Sequence, residues 1–482
     1  MRALNNQIYT WLQIIAFELR MLLRTGTLPV LVLIIISAGM AALSFGHHRR
    51  TSQLNTLDSI RRDYTIAYEK LYSGLHADTA SPEGKATYLA ATHPAVIDYK
   101  LHRTAIHPPT AFSVLATGMS DIATYYIPVT IKQQYIPAEE KVNNPQHLLA
   151  GSFDVSFLII YLLPLALICI SYNLLAQEKE QGTLSLLVTQ KGSITGILFF
   201  RLLLRYLLIM CCLVIILLIS IIYTGSLPGR ETIAWLAVSG AYLGVWTGII
   251  WFILSWNAGA VLNMMTMLCT WLLLLMVLPS LLHLRLDHQD ADNHTANYAS
   301  RQREIEWETW DWPQQQLLDS FYTYYPVYRN ANAYDTSTGS TRRMMAYYEV
   351  VSRRMQRELS SVRTIQAHDL QLLVASYRYD PPVYAQALLN SIARTDVSDY
   401  DHFNSQAALF RKRWQSFLYP FHFNNKPFTA DDYRSMPVYD HSYSSDSSRQ
   451  WFWGICYMLS LAIILLLAGT VVLEKKLLKH RI

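Results

Sequence analysis

The densest group of metal-ligand side chains in the chain is Asp287-His288-Gln289-Asp290-Ala291-Asp292-Asn293-His294. Carboxylate oxygen and imidazole at this spacing have the chemistry to hold Ca²⁺, Zn²⁺ or Mn²⁺. No glycine fixes a binding turn there, and a solvated loop beside a membrane has the same composition, so no metal is expected. The pairs His47-His48 and Met344-Met345 invite a copper reading but stand alone in sequence. Cys211-Cys212 lies in an apolar run and reads as two small hydrophobes rather than a redox pair. No G-x-x-x-x-G-K-[ST], H-E-x-x-H or G-x-S-x-G occurs, so neither phosphate-loop ATP hydrolysis nor those two hydrolase mechanisms is written in this chain. It is not expected to be an enzyme by itself, nor to bind nucleic acid.

The elements around these residues are apolar. Of 482 residues 52% are hydrophobic and 16% charged, against about 25% charged in a typical soluble domain, which excludes a soluble two-domain enzyme. Uncharged runs cover 25–46, 155–177, 206–229, 232–284 and 451–473. A crossing takes about 20 residues, so the 53-residue run must hold two, with Trp256-Asn257-Ala258-Gly259 as the turn between them. Six spans follow, at 27–46, 155–176, 200–223, 232–255, 261–283 and 451–473.

One side of this arrangement carries eleven Lys/Arg against four acidic residues, a net of +7 in a chain whose total is +5. The basic side is the cytoplasmic one. Both termini, including the tail 474–482, are expected there, with the first run acting as a retained anchor. Two polar regions, 47–154 and 285–450, then lie outside. They hold no cysteine and are expected to form one joint, mixed and partly helical ectodomain. In the second, Met345, Tyr348, Val351 and Met355 recur at helical spacing.

The spans are nearly free of ionisable groups. Arg201 and Arg205, near the end of the third, are expected to snorkel to the interface. Asn263, Thr266 and Thr270 share one face of the fifth span, lining a path or joining helices, with packing preferred. Pro164 should kink the second span. Residues 1–26 hold an amphipathic stretch, 7–24, whose broad apolar arc is interleaved with Gln13, Glu18, Arg20 and Arg24, suited to lie in the interface plane against membrane lipid.

After the second span, within a cytoplasmic loop at 177–199, the chain reads Gln177-Glu178-Lys179-Glu180-Gln181-Gly182-Thr183-Leu184-Ser185-Leu186-Leu187. The helix is expected to run past the bilayer so that Glu178 and Glu180 project into the cytosol, with Gly182 setting a bend. Here the sequence resembles ABC transporter permeases of the ABC-2 type, whose E-x-E-x-G-T-L motif is matched by Glu178, Glu180, Gly182, Thr183 and Leu184. Thr189-Gln190-Lys191-Gly192 stands where that family often has a small residue and a proline. The external stretches His93-Pro94, Pro108-Pro109-Thr110-Ala111-Phe112 and Lys426–Pro437 look like the bacterial subfamily with large external inserts, named for its DUF3526 region.

The resemblance implies a six-span permease bundle in the bacterial inner membrane. It implies a coupling segment, with Leu187 at its end, that docks on a separate ABC ATPase present in two copies. It also implies a second permease, identical or homologous. ATP and Mg²⁺ would belong to the ATPase and no cofactor to this chain. The function so implied is ATP-driven transport, as an exporter. The alternative is a non-transporting assembly that passes ATPase-driven motion to its ectodomains to sense, release or position an envelope partner.

Overall fold

The computed structural model describes residues 16, 18–24, 26–131, 153–182, 194–225, 229–287, 291–329, 339–424, 426–443 and 448–479. All six expected spans are helices long and apolar enough to cross a membrane. They are α1 (Thr27–Gly74), α4 (Val155–Glu180), α5 (Ile194–Thr224), α6 (Arg230–Leu254), α7 (Ala260–Leu282) and α14 (Ser448–Lys479). α4 and α6 are the most enclosed. Around them Leu33, Ile34, Leu207, Ile222, Val261 and Ile463 stay exposed, an apolar perimeter that only lipid would satisfy. The turn between α6 and α7 falls at the expected residues, with Asn257 at φ 55°, a left-handed conformation that asparagine tolerates.

Close backbone approach joins α6 to α14. A Cβ placed on Gly248 would lie 2.9 Å from the Leu465 Cβ, and one on Gly469 would lie 2.6 Å from the Trp251 ring. Small residues at such a contact let helices pack without a hydrophobic drive between them. Trp251 Nε1 donates to Thr470 Oγ1 at 3.1 Å across the same seam.

A π turn at Leu158–Leu162 interrupts the second span and ends two residues before Pro164. A proline cannot donate to the carbonyl four residues back. That carbonyl, of Ile160, accepts instead from the Tyr242 hydroxyl at 2.8 Å, and the neighbouring Tyr161 carbonyl accepts from Trp271 Nε1 at 3.2 Å. A second π turn, Leu273–Val277, precedes Pro279 in α7.

α1 departs from expectation. It does not end at the bilayer near His47 but runs 48 residues without a break, about 70 Å at 1.5 Å per residue. Its second half enters a head domain that also holds α2 (Pro82–Thr92), α3 (Pro94–Lys100), α8 (Ala291–Trp310), α9 (Gln314–Tyr324), α10 (Gly339–Ser376), α12 (Val397–Asn424) and α13 (Ala430–Arg434). Its strands are β1 (Arg103–Ile106) and β2 (Tyr126–Val129), antiparallel. The two polar regions share one core: Leu71, Ile97 and Val129 from the first meet Phe321, Trp414 and Phe428 from the second. Asp98 ties them by accepting from the Trp414 indole at 2.9 Å and the Ile131 amide at 3.1 Å. The joint head is therefore as expected, and Met345, Val351 and Met355 lie in its core.

α11 (Pro381–Ala393) was not foreseen as a separate element. It belongs by sequence to the second polar region, yet Ala385, Leu388, Leu389 and Ile392 pack into the core of the span bundle. A loop at 110–120 clasps it there: Thr110 Oγ1 donates to the Ala393 carbonyl at 2.7 Å, and the Met119 amide to the Thr395 carbonyl at 2.8 Å. Asp154 caps the start of α4, accepting from the Phe157 amide, and accepts from the Thr117 amide of that same loop, both at 2.7 Å.

Candidate functional site

The end of the bundle that holds the segment 18–24 carries a buried charge cluster. Glu18 is fully buried, on a short helical segment at 18–24 that stops at Gly26, whose φ of 70° turns the chain into α1. Arg205 of α5 donates from Nη2 to Glu18 Oε1 at 2.7 Å and from Nη1 to the Ile170 carbonyl of α4. Arg201, one turn earlier on the same face, approaches Glu18 Oε2 at 3.3 Å and donates to Glu178 Oε1 at 2.6 Å. Two cations and two carboxylates thus join the N-terminal segment, the last turn of α4 and α5.

This corrects two expectations. Arg201 and Arg205 do not snorkel, because internal anions and a carbonyl take their charge. Glu178 does not project freely, because Arg201 draws it inward, while Glu180, two residues on and so across the helix, is exposed. Gly182 follows at φ 70°, its amide donating to the Lys179 carbonyl at 3.3 Å, and so makes the bend read from the sequence. Thr183, Leu184 and Leu187 lie outside the described residues.

The signal for the cluster was present in the sequence. A carboxylate on a mostly apolar stretch and two arginines four apart in a span both ask for partners. What could not be read was that they answer each other.

At the opposite end, Asp380 precedes α11 with its side chain fully enclosed and neither carboxylate oxygen in a hydrogen bond of good geometry. It lies within electrostatic reach of Tyr161 and Tyr242. Burial pushes its carboxyl up to about 6, opposed only weakly by the Val383 amide. In the head, burial holds His107 and His441 down to about 4, with their rings 5.0 Å apart.

The remaining candidates resolve simply. Asn263 is buried and reaches the Tyr172 carbonyl of α4 at 3.5 Å, so it joins spans. Thr266 and Thr270 instead donate to Leu262 and Thr266 of their own helix, each at 2.8 Å, and make no hydrogen bond to another helix among the described residues. His47 packs on Tyr223, Met345 is core, and Cys211 is exposed while Cys212 is buried. No group of three metal-ligand side chains occurs among the described residues, and 288–290 lie outside them.

Six apolar helices and a helical head define an α-helical, multi-pass membrane protein. Within it, a family model described as a domain of unknown function, DUF3526, matches residues 296–442, which run from α8 through α13. No curated protein and no solved structure matches the chain.

Proposed function

We propose that the chain is the membrane-spanning permease subunit of an ATP-driven ABC transporter of the ABC-2 type, acting as an exporter in the bacterial inner membrane. A separate ATPase, in two copies, would dock on 178–187 of each of two permeases and supply the ATP and Mg²⁺ chemistry. The observation that carries this reading is the Glu178–Arg201–Glu18 chain of ion pairs. A push on the exit of α4 would reach α5 and the N-terminal segment directly, because moving Glu178 alone would strand a charge in a poorly solvated site. The division of labour within E-x-E then becomes specific: Glu180 faces the partner and Glu178 transmits.

The test is co-purification with the cognate ATPase and the hydrolysis rate of the complex. Glu180→Lys should weaken association, since like charges at an interface cost several kcal/mol. Glu178→Gln should leave association largely intact and uncouple hydrolysis from transport. Unchanged association and turnover in both variants would remove the coupling role. A second reading, in which ATPase motion works the head on an envelope partner, draws support from α1. That helix is one continuous rod from the bundle into the head core. ATP-dependent movement of a substrate in vesicles would exclude it.

A further inference from the structure

The head contains a cleft of about 770 Å³ whose walls come from both polar regions. Its floor is one face of the two-stranded sheet. Thr104 pairs with Pro128 and Ile106 with Tyr126, and all four line the cleft. The alternate residues Ala105, Ile127 and Val129 point into the head core, as the two-residue period of a strand requires. Ile60 and Tyr64 of α1 form one wall, and Val438 and Tyr439 close another.

Charge in this cleft is one-sided. Arg61, Lys100 and Arg103 line it against the single carboxylate of Asp63, with His102 beside them. Arg61 pairs loosely with Asp58 at 3.4 Å on the exposed face of α1. Lys100 and Arg103 make no ion pair among the described residues. The Arg103 guanidinium lies 4.1 Å from the centre of the Tyr64 ring, and its Nε is buried without a partner. A guanidinium over an aromatic ring keeps its terminal N–H donors for a ligand. A second hollow of about 590 Å³ shares Asp63 and Lys100 with the first, adds Lys70, and continues along α1 over Ile66 and Ala67.

A cavity of this size, mainly apolar with a few convergent cations, has the character of a small-molecule site. We infer that the cleft binds an organic anion with an aromatic body, its phosphate or carboxylate on Arg103 and Lys100 and its ring between Tyr64, Tyr126 and Tyr439. Charge complementarity selects the anion, and the rings select the body. The site does not depend on what the bundle transports, and its test needs no ATPase.

The probe is 1-naphthyl phosphate, titrated calorimetrically into the full chain in nanodiscs of neutral lipid, with amide hydrogen exchange read in parallel. Inorganic phosphate supplies the charge alone and 1-naphthol the ring alone. Naphthyl phosphate should bind at least tenfold more tightly than either and protect amides at 102–106, 126, 127 and 129. Arg103→Gln should weaken binding about tenfold. Lys100→Gln, at an exposed position where folding is not at stake, should weaken it severalfold, while Arg62→Gln, outside the cleft, should not. Absent protection at those strands, or equal affinity in wild type and Lys100→Gln, would overturn the assignment. So would tighter binding of a Glu-rich peptide than of naphthyl phosphate, which would mark the surface as one for acidic polypeptide.

Discussion

Tyr242 donates its hydroxyl to the carbonyl of Ile160 at 2.8 Å, the acceptor that Pro164 cannot serve. The proline thus leaves no stranded acceptor at Ile160, because the donor comes from α6. Tyr242→Phe keeps the ring and removes the donor. The expected loss is about 1–2 kcal/mol, seen as a fall of a few degrees in the thermal midpoint in detergent. An unchanged midpoint would show that the π turn satisfies Ile160 by itself.

Glu18 is the single anion facing both buried arginines' approach from the N-terminal side. Glu18→Leu should destabilise the chain by about 3–5 kcal/mol, since Arg205 would be left buried without its counter-ion. Adding Arg205→Met to Glu18→Leu should recover most of that loss. A double variant as unstable as the sum of its parts would show that the two do not act as a pair.

Buried groups of two kinds make opposite contributions to the pH dependence of stability. Asp380, raised to about 6, binds its proton in the folded chain before the unfolded chain does, so stability falls as pH rises between about 4 and 6. His107 and His441, lowered to about 4, stay neutral in the folded chain while unfolded imidazoles charge below about 6.5, so their contribution falls as pH drops. Asp380→Asn should therefore stabilise the chain above pH 6, by on the order of 3 kcal/mol, and leave the thermal midpoint nearly unchanged at pH 4. A variant melting like the wild type at pH 7.5 would mean that Asp380 is stabilised by a partner.

Sidedness follows from the charge count. Reporter fusions at Gln315, exposed in the head, and at Ile482 should give external and cytoplasmic signals respectively. The same signal from both would break the six-span topology or the reading of the head as external.

The position of all six spans was legible in the sequence, because crossing a bilayer is a local demand on about 20 consecutive residues. The bend at Gly182, the turn at Asn257 and the helical stripe ending at Met355 were legible for the same reason: each rests on a few neighbouring residues. The joint head was foreseen from the Cys-free regions and the four chain ends that meet at one bundle. Contacts between distant residues were decided by the tertiary structure alone. Glu18 and Arg205 are 187 positions apart, and either could have met lipid headgroups or water; packing α5 against the N-terminal segment removes both and leaves each the other's charge. The same holds for α11, which belongs by sequence to the second polar region but is buried among the spans. It holds too for α1, whose continuation past His47 depends on a head domain for its polar second half to enter. Burial is a property of the assembled surface, so the roles of Glu178 and Arg201 reversed from solvent to interior once their neighbours were in place.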